Sequence, residues 1–247
     1  MNPGNIKFSI CIIVCMYCMT IAGCHAAWGD FFGIFKGKSS QSASSTLTQG
    51  EMINGLKEAL TQGARSAVNN LGRIDGFFKN PKVSIPMPES LEKVEKALRK
   101  LKQDKTADEF ILSMNRAAEQ AVPEAASIFS DTIRSMSFDN AKSILQGPDD
   151  AATQYFRRSS KDRLTEKMLP IVKTSTSAVG ITAKYKHMLD KMGPLSSLVD
   201  TKSLDIDQYI TNKALDGLFK MVAEEEKLIR NDPAARTTTL LEKVFGA

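Results

Sequence analysis

Residues 106–136, TADEFILSMNRAAEQAVPEAASIFSDTIRSM, carry the clearest structural signal in this chain. Thr106-Ala-Asp-Glu109 has the form of a capping box, which predicts the start of a helix reaching about Met136. Pro123 lies inside this helix and predicts a kink or a break. Apolar residues recur at the spacing of one helix face, and they are Phe110, Met114, Ala118, Ala121, Ala125, Phe129 and Ile133.

Helical signals of the same kind fill the chain on both sides of this stretch. Thr48-Gln-Gly-Glu51 is a capping box that predicts a helix to about Leu71. Residues 89–102 are amphipathic, with Leu91, Val94, Leu98 and Leu101 as the apolar stripe. Another helix is predicted to begin at 148. Further helices are predicted over about 137–147, 160–179, 182–192, 205–230 and 237–245. Residues 80–88, NPKVSIPMP, are expected to be extended because proline restricts itself and its predecessor.

No stretch alternates apolar and polar residues for long enough to predict a sheet. The sequence therefore predicts an all-α fold, a single multi-helix domain of kinked amphipathic helices over residues 47–247. Its net charge of +5 includes one leader lysine, and so mild an excess does not indicate nucleic-acid binding.

The start of the chain reads as a leader. Lys7 precedes a 16-residue apolar run, 8–23, which ends in Ile-Ala-Gly before Cys24. At about 1.5 Å per residue this run is shorter than a bilayer core of roughly 30 Å. We interpret residues 1–23 as a lipoprotein-type signal peptide and Cys24 as the lipid-attachment site. Cleavage after Ala26, giving a soluble periplasmic protein, and an uncleaved anchor are the alternatives.

Residues 24–46 then form an aromatic segment and a Ser-rich tether. The aromatic side chains of residues 28–35 suit either a membrane interface or docking onto the domain. His25 stands where an inner-membrane retention signal often has Asp, which favours the outer membrane. We expect an outer-membrane lipoprotein on the periplasmic side of the envelope.

The residue types absent from the domain limit its chemistry. All four cysteines lie in or directly after the leader, and His187 is the only histidine after residue 46. A cysteine nucleophile, a Ser-His-Asp triad and a histidine-based metal site are therefore excluded from the domain. We predict no metal ion and no cofactor.

Two groups of polar residues are candidate ligand-binding sites. Asn115, Arg116 and Glu119 flank the apolar stripe of the 106–136 helix, where they either line a pocket or tie helices together. The second group follows Pro148, and a capped helix start explains its pattern equally well. Its members are Asp149, Asp150, Tyr155 and Arg157.

Several longer stretches resemble one known family. They are 47–51 with 55–60, 114–126 (MNRAAEQAVPEAA), 147–157 (GPDDAATQYFR), 213–219 (KALDGLF), and 224–227 with 231–237. Together they resemble the bacterial domain-of-unknown-function 4197 family over roughly residues 47–246, and the segments follow one another in the same order as in that family. The resemblance implies an exported helical domain and supplies no activity.

From these observations we expect a lipid-anchored envelope protein that works by binding. Its partners would be the membrane, through the lipid, and a lipid, peptide or protein in the envelope. Methionine and alanine along kinked helices suit an adaptable apolar groove. The alternative is a carboxylate-based envelope hydrolase built on Glu119, Asp149 or Asp150.

Overall fold

A computed structural model describes residues 48–178, 180–193 and 205–245 of the chain. Over these ranges it contains α-helices and short 3-10 turns and no strand, which confirms the predicted all-α class. The helices are α1 Gln49–Leu71, α2 Glu92–Lys100, α3 Asp104–Ala121, α4 Ala125–Arg134, α5 Phe138–Leu145, α6 Ala151–Ala178, α7 Ile181–Met192, α8 Ile206–Asn231 and α9 Thr239–Phe245. The predicted leader, Cys24, the tether and Leu47 lie outside the described residues.

Several helix boundaries follow directly from local sequence. Thr48 and Glu51 form the predicted capping box, each accepting the other's main-chain N–H. Ser137 caps α5 and Asp205 caps α8 through their side-chain oxygens. Pro123 interrupts the 106–136 helix as predicted, because a 3-10 turn at Val122–Glu124 separates α3 from α4.

The predicted capping box at Thr106 is wrong. Helix α3 begins two residues earlier, at Asp104, and its N-cap Gln103 makes no side-chain capping bond. Lys102 takes a left-handed φ of 58° and closes a tight turn after α2. Asp104, the first residue of α3, pairs across this turn with Arg99 of α2 at 3.3 Å. Leu101, predicted in the apolar stripe, falls after α2 ends and is 51% exposed.

Two further boundaries differ from the sequence prediction. The helices expected from 148 and over 160–179 are one continuous helix, α6, which runs through Pro170. Packing of α6 against α3, α4 and α8 stabilises it beyond its own propensity. The last helix, predicted over 237–245, begins at Thr239, and the Thr238 hydroxyl oxygen accepts the N–H of Leu241 at 3.3 Å. The Thr237 hydroxyl donates instead to the Gln62 side-chain oxygen.

Helix α8 lies at the centre of the domain, where it contacts α1, α3 and α6. The predicted apolar stripe of α3 and α4 is buried throughout, and its methionine and alanines fill the core. The Phe129 ring centroid lies 5.1 Å from that of Phe156 and 6.2 Å from that of Phe219. The described helices include none that is long and apolar enough to cross a membrane.

Residues 80–88, called the extended segment below, pack against this helical core. The prediction holds for 84–88 but is wrong for 80–83, which form a turn in which the Asn80 carbonyl accepts the N–H groups of Val83 and Ser84 at 3.1 and 2.8 Å. Val83, Ile85 and Met87 are buried, with more exposed residues between them. Gly217 of α8 allows the segment to approach closely. A Cβ added at Gly217 would lie 2.9 Å from Phe77 Cε1 and 3.1 Å from Val83 Cβ.

We therefore expect Gly217→Ala to lower the free energy of unfolding by about 1–3 kcal/mol, because the added methyl overpacks this contact. Gly50→Ala is the matched control, since a Cβ there meets nothing within 4 Å. It should raise stability by up to about 1 kcal/mol through helix propensity. Urea denaturation of both variants checks the opposite signs, and a neutral Gly217→Ala would contradict the close packing.

Candidate functional site

Asn115 lies in the core and hydrogen-bonds to the extended segment. Its side-chain oxygen accepts the N–H of Ile85 at 2.8 Å, and its amide nitrogen donates to the Ile85 carbonyl at 2.9 Å. The same nitrogen donates to the Ile111 carbonyl, one turn back on α3. A single amide thus replaces the two main-chain partners that Ile85 would have in a β-sheet.

Glu119 does the same for the turn that precedes the extended segment. One carboxylate oxygen, Oε1, accepts the main-chain N–H groups of Phe77 and Phe78 at 3.0 and 3.1 Å. The other, Oε2, pairs with Arg116 at 2.5 Å. Glu119 is only 3% exposed, and the Arg116 guanidinium compensates its negative charge inside the protein.

Arg116 also pairs with Asp75, which lies on the turn itself, at 2.5 Å, and so links the turn to the Glu119 carboxylate. Asp75 also pairs with Lys79 at 2.8 Å and adopts a left-handed φ of 67°, which Asp and Asn tolerate better than most residues. The cluster of Asn115, Arg116, Glu119 and Asp75 therefore fixes residues 75–85 onto α3.

The charges in this cluster support one another. The hydrogen bond from Lys79, followed by that from Arg116, holds the pKa of the Asp75 carboxyl below its ordinary value of 3.8. Burial alone would lower the pKa of the Arg116 guanidinium. Its hydrogen bonds to Glu119 and Asp75 outweigh burial and raise that pKa.

The second predicted group lies elsewhere, at the start of α6. Asp149 and Asp150 are exposed; Asp149 accepts from the Asn231 amide at 3.2 Å and Asp150 from the Gln154 amide at 2.9 Å. Tyr155 is half-buried against the core.

Arg157, the remaining member of that group, faces α8. Its guanidinium lies 4.6 Å from the ring centroid of Phe219 and pairs with Asp216 at 3.1 Å. The residues of the two predicted groups thus have separate partners, and no contact joins Glu119 to Asp149 or Asp150 among the described residues.

Sequence reasoning missed a second buried carboxylate, Glu226 of α8. It is 6% exposed and accepts the N–H groups of Ala152 and Thr153, each at 2.9 Å, and the Thr153 hydroxyl. These are the unpaired donors at the start of α6, so Glu226 caps that helix from a distance. Arg230 pairs with Glu226 at 2.9 Å.

The only sequence signal for Glu226 was its place in Glu224-Glu-Glu226, whose three carboxylates point to different partners. Glu224 pairs with Lys82, and Glu225 accepts from the Ser66 hydroxyl. Over the described residues, no three His, Cys, Asp or Glu side chains are placed to hold one metal ion together.

Fold and site together define a class: an all-α domain whose buried polar residues hold an extended segment and a helix start in place. The family model described as a protein of unknown function, DUF4197, matches residues 46–246. The chain therefore belongs to the DUF4197 family, and the resemblance seen in the sequence is confirmed. No curated protein and no solved structure matches the chain.

Asn115→Ala should lower the free energy of unfolding by about 2–4 kcal/mol, because it leaves the buried N–H and C=O of Ile85 without partners. Gln120→Ala, at an exposed position of the same helix, is the control and should change stability by less than about 0.5 kcal/mol. Equal effects of the two changes in a urea titration would contradict the assigned role of Asn115.

Asp75→Asn tests the electrostatics without disturbing the left-handed backbone. The folded carboxyl has the lowered pKa, so the unfolded chain binds the proton first as the pH falls. Asp75 therefore stabilises the fold at neutral pH, and that contribution is lost as the pH drops below about 3.8.

The variant should be less stable than the native protein at pH 7, and the difference should shrink toward pH 3. Urea midpoints measured across this range check the sign. A stability difference that is independent of pH would show that Asp75 acts through its backbone geometry alone.

Proposed function

We propose that this protein is a non-enzymatic binding or scaffold module of the bacterial cell envelope, held at a membrane by a lipid on Cys24. The observation that carries the non-enzymatic part is the use of the two carboxylates that are buried among the described residues. Glu119 and Glu226 each accept hydrogen bonds on both oxygens, from main-chain N–H groups and an arginine.

A general base needs an acceptor position within reach of the substrate proton. Glu119 and Glu226 lie in the core and are occupied by donors that the fold requires. Asp149 and Asp150 are exposed at a helix start with amide partners of their own. This arrangement supports binding over carboxylate-based hydrolysis.

The anchoring part rests on the sequence. A short apolar run that ends in small residues before Cys24 suits a lipoprotein signal, and the tether separates that cysteine from the folded domain. We place the protein on the periplasmic side, at the outer membrane, with a soluble periplasmic form as the alternative. Its partner would be a lipid, a peptide or an envelope protein.

Labelled palmitate supplied to cells of the native host tests the anchor. We expect label on the native protein and none on Cys24→Ser. Cys18→Ser is the matched control, because that cysteine lies in the predicted leader and should leave labelling unchanged. An unlabelled native protein, or an unprocessed chain in the cytosol, would contradict the proposal.

In vivo crosslinking with mass spectrometry tests the binding role. We expect one reproducible lipid or protein partner at native expression. The Asp149→Asn/Asp150→Asn variant should keep that partner, because the proposed role does not use these carboxylates. The absence of any crosslinked partner of the native protein would contradict the binding role. So would a hydrolysis product of an envelope component that mass spectrometry detects with the native protein and not with the double variant.

A further inference from the structure

A groove runs between the extended segment and α8, and lysines line it from both sides. We call it the lysine groove. It has a volume of about 200 Å³, and its polar lining consists of Lys82, Ser84, Lys213, Asp216 and Lys220. Lys213 and Lys220 are seven residues apart, two turns of α8, and so share one helix face. Lys82 reaches the groove from the extended segment.

The charges in the groove do not cancel. Lys82 pairs with Glu224 at 2.8 Å, and Asp216 pairs with Arg157 at 3.1 Å. Among the described residues, Lys213 and Lys220 have no carboxylate within salt-bridge distance. Once these two ion pairs are left out of the sum, Lys213 and Lys220 give the lining an excess of two positive charges.

Both lysines are exposed, and of the two only Lys220 is held by a hydrogen bond within the described part of the chain. Lys220 Nζ donates to the Lys82 carbonyl at 2.9 Å, and the Lys213 ammonium lies 5.7 Å from the Tyr209 ring centroid. The Tyr209 hydroxyl donates to the Pro86 carbonyl, which fixes the ring against the extended segment. An ammonium has three donors, so each lysine retains hydrogen-bonding capacity for a ligand.

Val83, Pro86 and Gly217 complete the lining of the groove. The Ser84 hydroxyl adds a neutral donor at the wall. A compact anion with several acceptor oxygens matches two uncompensated lysines, and lysine binds phosphate as a point charge.

We propose that the lysine groove binds the phosphate group of an anionic ligand, through Lys213 and Lys220. This inference rests on the proposed binding role and names the ligand chemistry for one surface. Arg157, selected from the sequence as a candidate ligand-binding residue, lies outside the lining of the groove and pairs with Asp216. Inorganic phosphate and a phospholipid headgroup are the two sources of such a group.

Isothermal titration calorimetry of the full-length protein in nonionic detergent distinguishes the two sources. One arm uses inorganic phosphate. The other uses detergent micelles that contain phosphatidylglycerol, with phosphatidylcholine micelles as the reference. We expect Lys213→Gln/Lys220→Gln to weaken binding at least about tenfold for whichever probe binds. Lys213→Gln alone, at a side chain with no hydrogen bond to the fold, should weaken it less.

Lys100→Gln/Lys227→Gln is the matched control, because it removes the same charge at two exposed lysines outside the groove. It should leave the affinity within about twofold of the native value. Asp216→Asn should tighten binding, since it removes the negative charge from the lining and releases Arg157.

Binding of either probe that depends on the groove lysines supports the proposal and identifies the source. Equal weakening in the control variant, or binding of neither probe, overturns it. In the latter case an intact crosslinked partner would leave the proposed binding role standing, whereas loss of both would end the two together.

Discussion

The constraint on which this structure depends is the need to hydrogen-bond the main chain of a non-helical segment inside a helical core. Residues 75–88 make only part of their main-chain hydrogen bonds within their own turns, such as that from the Ser84 N–H to the Asn80 carbonyl, and no strand among the described residues pairs with them. Helix side chains supply the partners instead. Asn115 and Glu119 come from α3, and Tyr209 and Lys220 from α8. The bonds from Tyr209 and Lys220 are exposed, whereas those from Asn115 and Glu119 to Ile85 and Phe77 are buried. Without the buried ones, each main-chain group left unpaired would cost about 1–3 kcal/mol.

The same constraint governs the start of α6, where Glu226 accepts two of the unpaired N–H groups. Both buried carboxylates therefore serve the main chain, and each has an arginine to balance its charge. Removing one partner of such a pair is costly, because the other is left buried and uncompensated. Acidic residues in this core consequently hold elements together.

Agreement between sequence and structure is best where the signal is local. Thr48, Ser137 and Asp205 cap helices because a side-chain oxygen and the N–H groups it accepts lie within three residues. The break at Pro123 has an equally local cause. The Thr106 capping box failed because the chain turns at Lys102 and enters the helix at Asp104, before Thr106 is reached. Helix α6 runs through Pro170 because neighbouring helices support it.

The amino-acid order alone specified an all-α domain, its family, the extended proline-containing segment and a polar group at Asn115, Arg116 and Glu119. Periodicity, capping and proline geometry are properties of a few adjacent residues, so they can be read without a fold. Tertiary structure decided the partners of those polar residues, the role of Glu226 and the meeting of Lys82 with Lys213 and Lys220. The hydrogen bonds between elements that result join residues 30 to 138 positions apart in the chain, and only packing brings such residues together.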